Sequence, residues 1–100
     1  MKYRLTESAK QDIRDITGHI RHVQKSPQNA RLVALRLKAQ FAKLVDRPSL
    51  GHVRDELQDD KALVIAVTGV LVIYDASIKP LTILRVVHAA RDLGKIAPRH

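Results

Sequence analysis

The residues best suited to chemistry lie near the end of the chain, in the run Arg85-Val86-Val87-His88-Ala89-Ala90-Arg91-Asp92. Arginines can stabilise the negative charge of a phosphoryl-transfer transition state, and a histidine can move a proton. Arg85, His88 and Arg91 are therefore candidate catalytic residues. Because side chains alternate along a strand, Arg85 and His88 leave opposite faces unless the strand bends. The alternative, which the residues alone favour, is structural: an Arg85–Asp92 or Arg91–Asp55 ion pair that anchors the end of the chain.

Other kinds of chemical site have little support in the sequence. His19 and His22 are three residues apart on a predicted helix, a spacing that metal ligands can use. No carboxylate or third histidine is clearly placed to complete such a set, so we expect surface histidines, no metal and no cofactor. The chain also has no cysteine, no glycine-rich phosphate loop and no Ser/His/Asp grouping with a helpful spacing.

The charge of the chain is basic and unevenly distributed. The formal net charge is +8, and residues 1–47 carry 11 basic and 4 acidic side chains, against 7 and 6 in residues 48–100. A basic surface on one structural layer would attract polyanions or acidic protein partners, although charge also serves solubility. Aromatic residues make up only 3% of the chain, which argues against a reader of single-stranded nucleic acid.

The first half of the chain predicts a short strand followed by two helices. Tyr3–Leu5 is the strand, and Thr6 is a suitable cap for a helix with an apolar stripe from Ala9 to Val23. Ser26-Pro27 ends that helix and begins a second one, which extends to Asp46. Such a short joint makes the two helices antiparallel neighbours.

The second half predicts strands. After the loop Pro48–Asp60, the segments Ala62–Val67, Val70–Tyr74 and Leu81–His88 are rich in Val, Ile and Leu, and short turns separate them. Short connections join antiparallel strands, so we expect an α+β fold in which a helical hairpin packs on a three-stranded meander plus the N-terminal strand. Two of these strands, residues 63–67 and 70–73, are apolar on both faces, whereas the helices can cover only one face of the sheet. The other face is either closed by the chain's own loop and tail or open to a partner, and we favour the open face.

The length of 100 residues predicts one domain over residues 1–100. The longest apolar run, Ala62–Val67, is too short to span a membrane, and the N-terminus has no signal-peptide core. We therefore expect a cytoplasmic protein that is not associated with a membrane.

Several motifs together resemble those of the RelE/ParE superfamily of bacterial toxins, and of its ParE-like members in particular. They follow one another in register over roughly residues 3–92. They are Tyr3-Arg4-Leu5-Thr6, Asp12-Ile13-Arg14-Asp15-Ile16, Pro48-Ser49-Leu50-Gly51 with Arg54, Val70-Leu71-Val72-Ile73-Tyr74, and Ile83-Leu84-Arg85-Val86-Val87-His88-Ala89-Ala90-Arg91-Asp92.

This resemblance implies a toxin that inhibits DNA gyrase by protein–protein contact, without catalysis. RelE-like members instead cut mRNA on the ribosome with basic residues and, in many, a tyrosine near the C-terminus. The chain departs from that pattern: Leu63 stands where many members have arginine, and no tyrosine follows Tyr74. Cleavage of mRNA by Arg85, His88 and Arg91 is the alternative function. The candidate target-binding residues are Arg54, Tyr74, Arg85, His88, Arg91 and Asp92.

The resemblance also implies an antitoxin encoded beside the toxin, ParD-like or similar, in a toxin–antitoxin hetero-oligomer. An acidic, partly apolar segment that folds on contact would suit the apolar sheet and the basic helical layer. The residues expected to bind it are Val33, Arg36, Leu37, Val64 and Val72.

Overall fold

In the part of the chain that the structure describes, one strand is followed by two α-helices, a short 3₁₀ turn at Pro48–Leu50 and four further strands. The computed structural model describes residues 3–54, 57 and 59–88. Within them the elements are β1 (Tyr3–Leu5), α1 (Glu7–His22), α2 (Pro27–Asp46), β2 (His52–Val53), β3 (Leu63–Val67), β4 (Val70–Asp75) and β5 (Leu81–His88). This confirms the predicted α+β class. Neither described helix is both long and apolar enough to cross a membrane.

Both helices begin at the predicted residues, because side chains satisfy their first backbone N–H groups. The Thr6 hydroxyl accepts a hydrogen bond from the backbone N–H of Ala9 at 3.0 Å. The Ser26 hydroxyl accepts one from Asn29 at 3.3 Å, and proline occupies the first turn of α2. The two helices therefore form the expected hairpin.

The strands form a single sheet in the order β1-β5-β4-β3-β2. Strands β3, β4 and β5 are the predicted antiparallel meander, and β1 pairs with β5 in parallel. The long connection that parallel pairing requires contains the helical hairpin and then strands β2, β3 and β4. Strand β2 pairs with the other edge of the meander and lies within the segment that we expected to be a loop. Its two residues are too short a run to give a sequence signal.

The main core lies between the helices and one face of the sheet. The ring of Tyr3 meets that of Phe41 edge-on at 5.3 Å between centroids, which joins β1 to α2. The buried residues of this core are Ala9, Leu37, Phe41, Leu44, Val70, Val72, Tyr74, Leu81, Ile83 and Val86.

A second cluster of buried residues covers the opposite face of the sheet. Leu57, from the loop before β3, packs there with Ala62, Val64, Leu71, Ile73 and Val87. The expectation of an open apolar face was therefore wrong. Leu57 of the loop before β3 belongs to this cluster, and periodicity along the strands does not reveal a loop residue on a sheet face.

An irregularity in β5 changes which way its side chains point. Ile73 is paired with Arg85 and Tyr74 with Ile83, so Leu84 has no partner residue on β4 and forms a β-bulge. The hydroxyl of Thr6 donates to the carbonyl of Leu84 at 2.8 Å. The residue that caps α1 therefore also supplies a hydrogen-bond donor to the backbone at the bulge.

Candidate functional site

A groove of about 790 Å³ lies where the second half of α1 meets the β3–β4 turn and the end of β5. Its apolar wall includes Ile16, Ile20, Val33 and Val70. Polar residues from α1 and β5 complete the lining, and they include Asp12, Asp15, His19, Arg85 and His88. The groove therefore combines apolar contacts with charged and imidazole groups, as a site for a peptide segment or a polar ligand does.

Arg85 is held by Asp12, a partner that the sequence analysis missed. Its Nε donates to Asp12 Oδ2 at 2.7 Å and its Nη2 donates to Asp12 Oδ1 at 2.9 Å. The backbone N–H of Val86 donates to the same Oδ2 at 2.9 Å. This bidentate arrangement ties α1 to β5 and places a carboxylate against the guanidinium that was a catalytic candidate. Asp92, one expected partner, lies outside the described residues.

Arg85 and His88 both line the groove. The bulge at Leu84 precedes both residues, and the pairing with β4 is regular from Arg85 to His88, so the bulge does not change the alternation between them. Arg85 extends toward α1, where it bonds to Asp12. His88 is exposed, and so is His19 across the groove. Arg91, the third catalytic candidate, lies outside the described residues. Among residues 3–54, 57 and 59–88, no cluster of three or more His, Asp or Glu could hold a metal ion.

Tyr74, one of the target-binding candidates, is buried and hydrogen-bonded within the fold, and its contact with a target stays a prediction. Its side chain is fully buried, its hydroxyl donates to the carbonyl of Pro48 at 2.7 Å, and it accepts from the N–H of Gly51 at 2.8 Å. Burial raises the pKa of the phenol, and the hydrogen bond from Gly51 opposes that shift only in part. Tyr74 fixes the segment that leads into β2, while Arg54 follows β2 and does not line the groove.

The expected antitoxin-binding residues divide into accessible and buried ones. Val33 lines the groove and Arg36 is exposed on α2. Leu37 and Val72 lie in the main core, and Val64 lies in the second cluster, each at most 4% exposed. These three side chains are packed within the chain, and periodicity identifies an inward face without showing which layer covers it. Antitoxin binding by any of the five residues stays a prediction.

The comparisons with known proteins agree with this architecture. The chain has the fold of a chain in the solved chromosomal ParDE toxin–antitoxin system from P. aeruginosa, with a TM-score of 0.72 and 19% sequence identity, over 88% of this chain and 95% of that one. No curated protein matches the sequence. The model of the family described as the ParE toxin of the type II toxin–antitoxin system, parDE, matches residues 3–93. The chain therefore belongs to the ParE toxin family of type II toxin–antitoxin systems.

Proposed function

We propose that this toxin inhibits DNA gyrase by binding it in the bacterial cytoplasm, and that it does so without catalysis. The observation that carries the proposal is the match to the ParE toxin family over residues 3–93. The ParE-like branch is also the one whose motifs the sequence resembles, whereas the arginine and the late tyrosine of RelE-like nucleases are missing.

The surroundings of Arg85 support binding over catalysis. A guanidinium that stabilises a phosphoryl-transfer transition state must present its donors to phosphate oxygens. Two nitrogens of Arg85 already donate to the carboxylate of Asp12, whose negative charge would also repel a phosphate. Tyr74, in the central strand of the meander and the last tyrosine in the sequence, is buried beneath the segment before β2.

The groove beside Val33 supports an antitoxin of ParD-like type as the second partner. Apolar side chains of such a segment would contact Val33, Ile16 and Ile20, and its acidic groups would meet the basic residues of α2. Binding of this kind would hold the toxin in a hetero-oligomer until the antitoxin is lost.

A supercoiling assay with purified gyrase tests the activity. We expect the folded toxin to abolish supercoiling or to trap cleaved DNA in a dose-dependent manner. Normal supercoiling at saturating, folded protein would refute the proposal.

A ribosome-plus-mRNA assay tests the alternative with a matched pair of variants. His88→Ala removes the histidine at the groove, whereas His22→Ala removes an exposed histidine at the end of α1 that does not line it. We expect no ribosome-dependent cleavage from the unmodified protein or from either variant. Cleavage that His88→Ala abolishes and His22→Ala preserves would establish the RelE-like activity instead.

A further inference from the structure

The outward face of α2 carries an apolar stripe that belongs neither to the core nor to the groove. Its members follow one another at intervals of three, four and three residues: Leu32, Leu35, Ala39 and Ala42. All four are exposed, Leu32 at 43% and Leu35 at 56%. The core side of the same helix is formed by Ala30, Leu37, Phe41 and Leu44, so the stripe lies opposite the residues that anchor α2. We call these four exposed residues the outer seam.

The spacing of the outer seam is that of a coiled-coil interface. Residues 32 and 39 take the a positions and residues 35 and 42 the d positions of two heptads. The two leucines protrude at one end of the outer seam, and the two alanines leave its other end flat. A second helix could therefore approach closely at the alanines.

Basic residues border the outer seam on both sides. The g positions hold Arg31 and Lys38, and the e positions hold Arg36 and Lys43. All four are exposed, and none makes an ion pair within the described part of the chain. Because e and g residues decide which helix pairs with which, this border selects an acidic partner.

We propose that the outer seam docks an amphipathic helix of a partner protein that has apolar a and d residues and glutamate or aspartate at e and g. A second copy of this chain fits poorly, because its basic e and g residues would face those of the first copy. Nucleic acid would meet the charges but would leave the leucines without an apolar contact. The proposal does not depend on inhibition of gyrase. It places a helix on a surface apart from the groove, and it shares the basic residues of α2 with the antitoxin contacts proposed above.

A synthetic helix of three heptads, with leucine at a and d and glutamate at e and g, is the probe. A peptide of the same length with lysine at e and g is its control. We expect the toxin to bind the acidic peptide and not to bind the basic peptide, as measured by fluorescence anisotropy. Binding should weaken with added salt, because exposed charges are screened beyond about 8 Å at physiological ionic strength.

Variants of the toxin separate the outer seam from a general basic surface. The double variant Leu32→Gln, Leu35→Gln keeps every charge and should weaken binding by about tenfold or more, since it removes both large apolar anchors. Ile78→Gln, which changes an exposed apolar residue between β4 and β5, should leave binding unchanged. The double variant Arg36→Glu, Lys38→Glu should bind the acidic peptide more weakly and should bind the basic peptide.

Three results would overturn the proposal. They are an absence of binding to the acidic peptide, binding that survives the double leucine variant, and a dimer of the free protein that Leu35→Gln dissociates. The last result, read by sedimentation, would assign the outer seam to a second copy of the chain.

Discussion

The carboxylate of Asp12 and the guanidinium of Arg85 join the first helix to the last strand across 73 residues of sequence. Two parallel hydrogen bonds connect them, and the same carboxylate accepts a third from the backbone of Val86. The Asp12 side chain is only 13% exposed, so water competes little for these bonds. One acidic residue thus fixes how α1 lies on β5 and shapes one side of the groove.

Replacing Asp12 should therefore destabilise the fold. Asp12→Asn removes the charge and presents an NH₂ group to donors, which should lower the free energy of unfolding by about 1–3 kcal/mol. Urea unfolding followed by circular dichroism measures this change. Asp15→Asn, an exposed change one turn further along α1, should stay within about 0.5 kcal/mol of the wild type. Equal losses in the two variants would contradict the assigned role.

The hydroxyl of Thr6 should be worth more than an ordinary helix cap. It accepts from the N–H of Ala9 and donates to the carbonyl of Leu84 at the bulge. Thr6→Ala should cost about 1–2 kcal/mol of unfolding free energy, and Thr6→Ser, which keeps the hydroxyl, should recover most of it. Thermal unfolding of the two variants side by side checks this, and no recovery by serine would argue against both hydrogen bonds.

The alkaline stability of the protein should depend on Tyr74. Tyr74→Phe leaves the buried N–H of Gly51 without its acceptor and should cost about 1–3 kcal/mol near neutral pH. Since the pKa of Tyr74 in the folded protein lies above the ordinary tyrosine value of 10.0, the unfolded chain loses the phenolic proton first as the pH rises.

The contribution of the phenol is therefore complete below pH 10 and declines as the pH rises through the folded pKa. The difference in unfolding free energy between the wild type and Tyr74→Phe should narrow over that range. Urea unfolding at pH 8, 10 and 11 measures it. A gap that widens above pH 10 would contradict the direction of the pKa shift.

Two glycines should respond in opposite directions to the same substitution. A Cβ at Gly51 would lie 2.5 Å from the Tyr74 oxygen, whereas one at Gly18 meets nothing within 4 Å. The backbone of Gly51 has a φ of −78°, which alanine adopts freely, so only the close approach opposes the change. Gly51→Ala should destabilise the protein by about 1–3 kcal/mol, and Gly18→Ala, inside α1, should stabilise it by about 0.5–1 kcal/mol. Melting temperatures that move in the same direction would refute this distinction.

The elements were largely predictable from the sequence because local signals define them. Ser26 and Pro27 are residue types typical of a helix start, and turn residues separate the apolar runs of β3, β4 and β5. The family resemblance followed from the same local motifs and was confirmed over residues 3–93.

The contacts that position the site were not predictable, because each joins distant parts of the chain. Nothing around Asp12 distinguishes it from Asp15 until β5 is placed beside α1. The bulge at Leu84 is equally invisible in a continuous apolar run. Leucine and valine occur both at interfaces and in cores, so only the packing of the layers shows that Leu37 and Val72 lie in the core.

The parallel pairing of β1 with β5 governs when this toxin can exist during its own synthesis. Strand β1 is translated before the other described elements, yet its neighbour in the sheet, β5, is translated after all of them. A chain that stops before Leu81 lacks the partner strand of β1, the bulge that Thr6 satisfies and the arginine that Asp12 holds. Contacts this distant in sequence form only after most of the chain is available. A translation product interrupted before β5 therefore lacks both the complete sheet and the complete groove, since the same strand contributes to both.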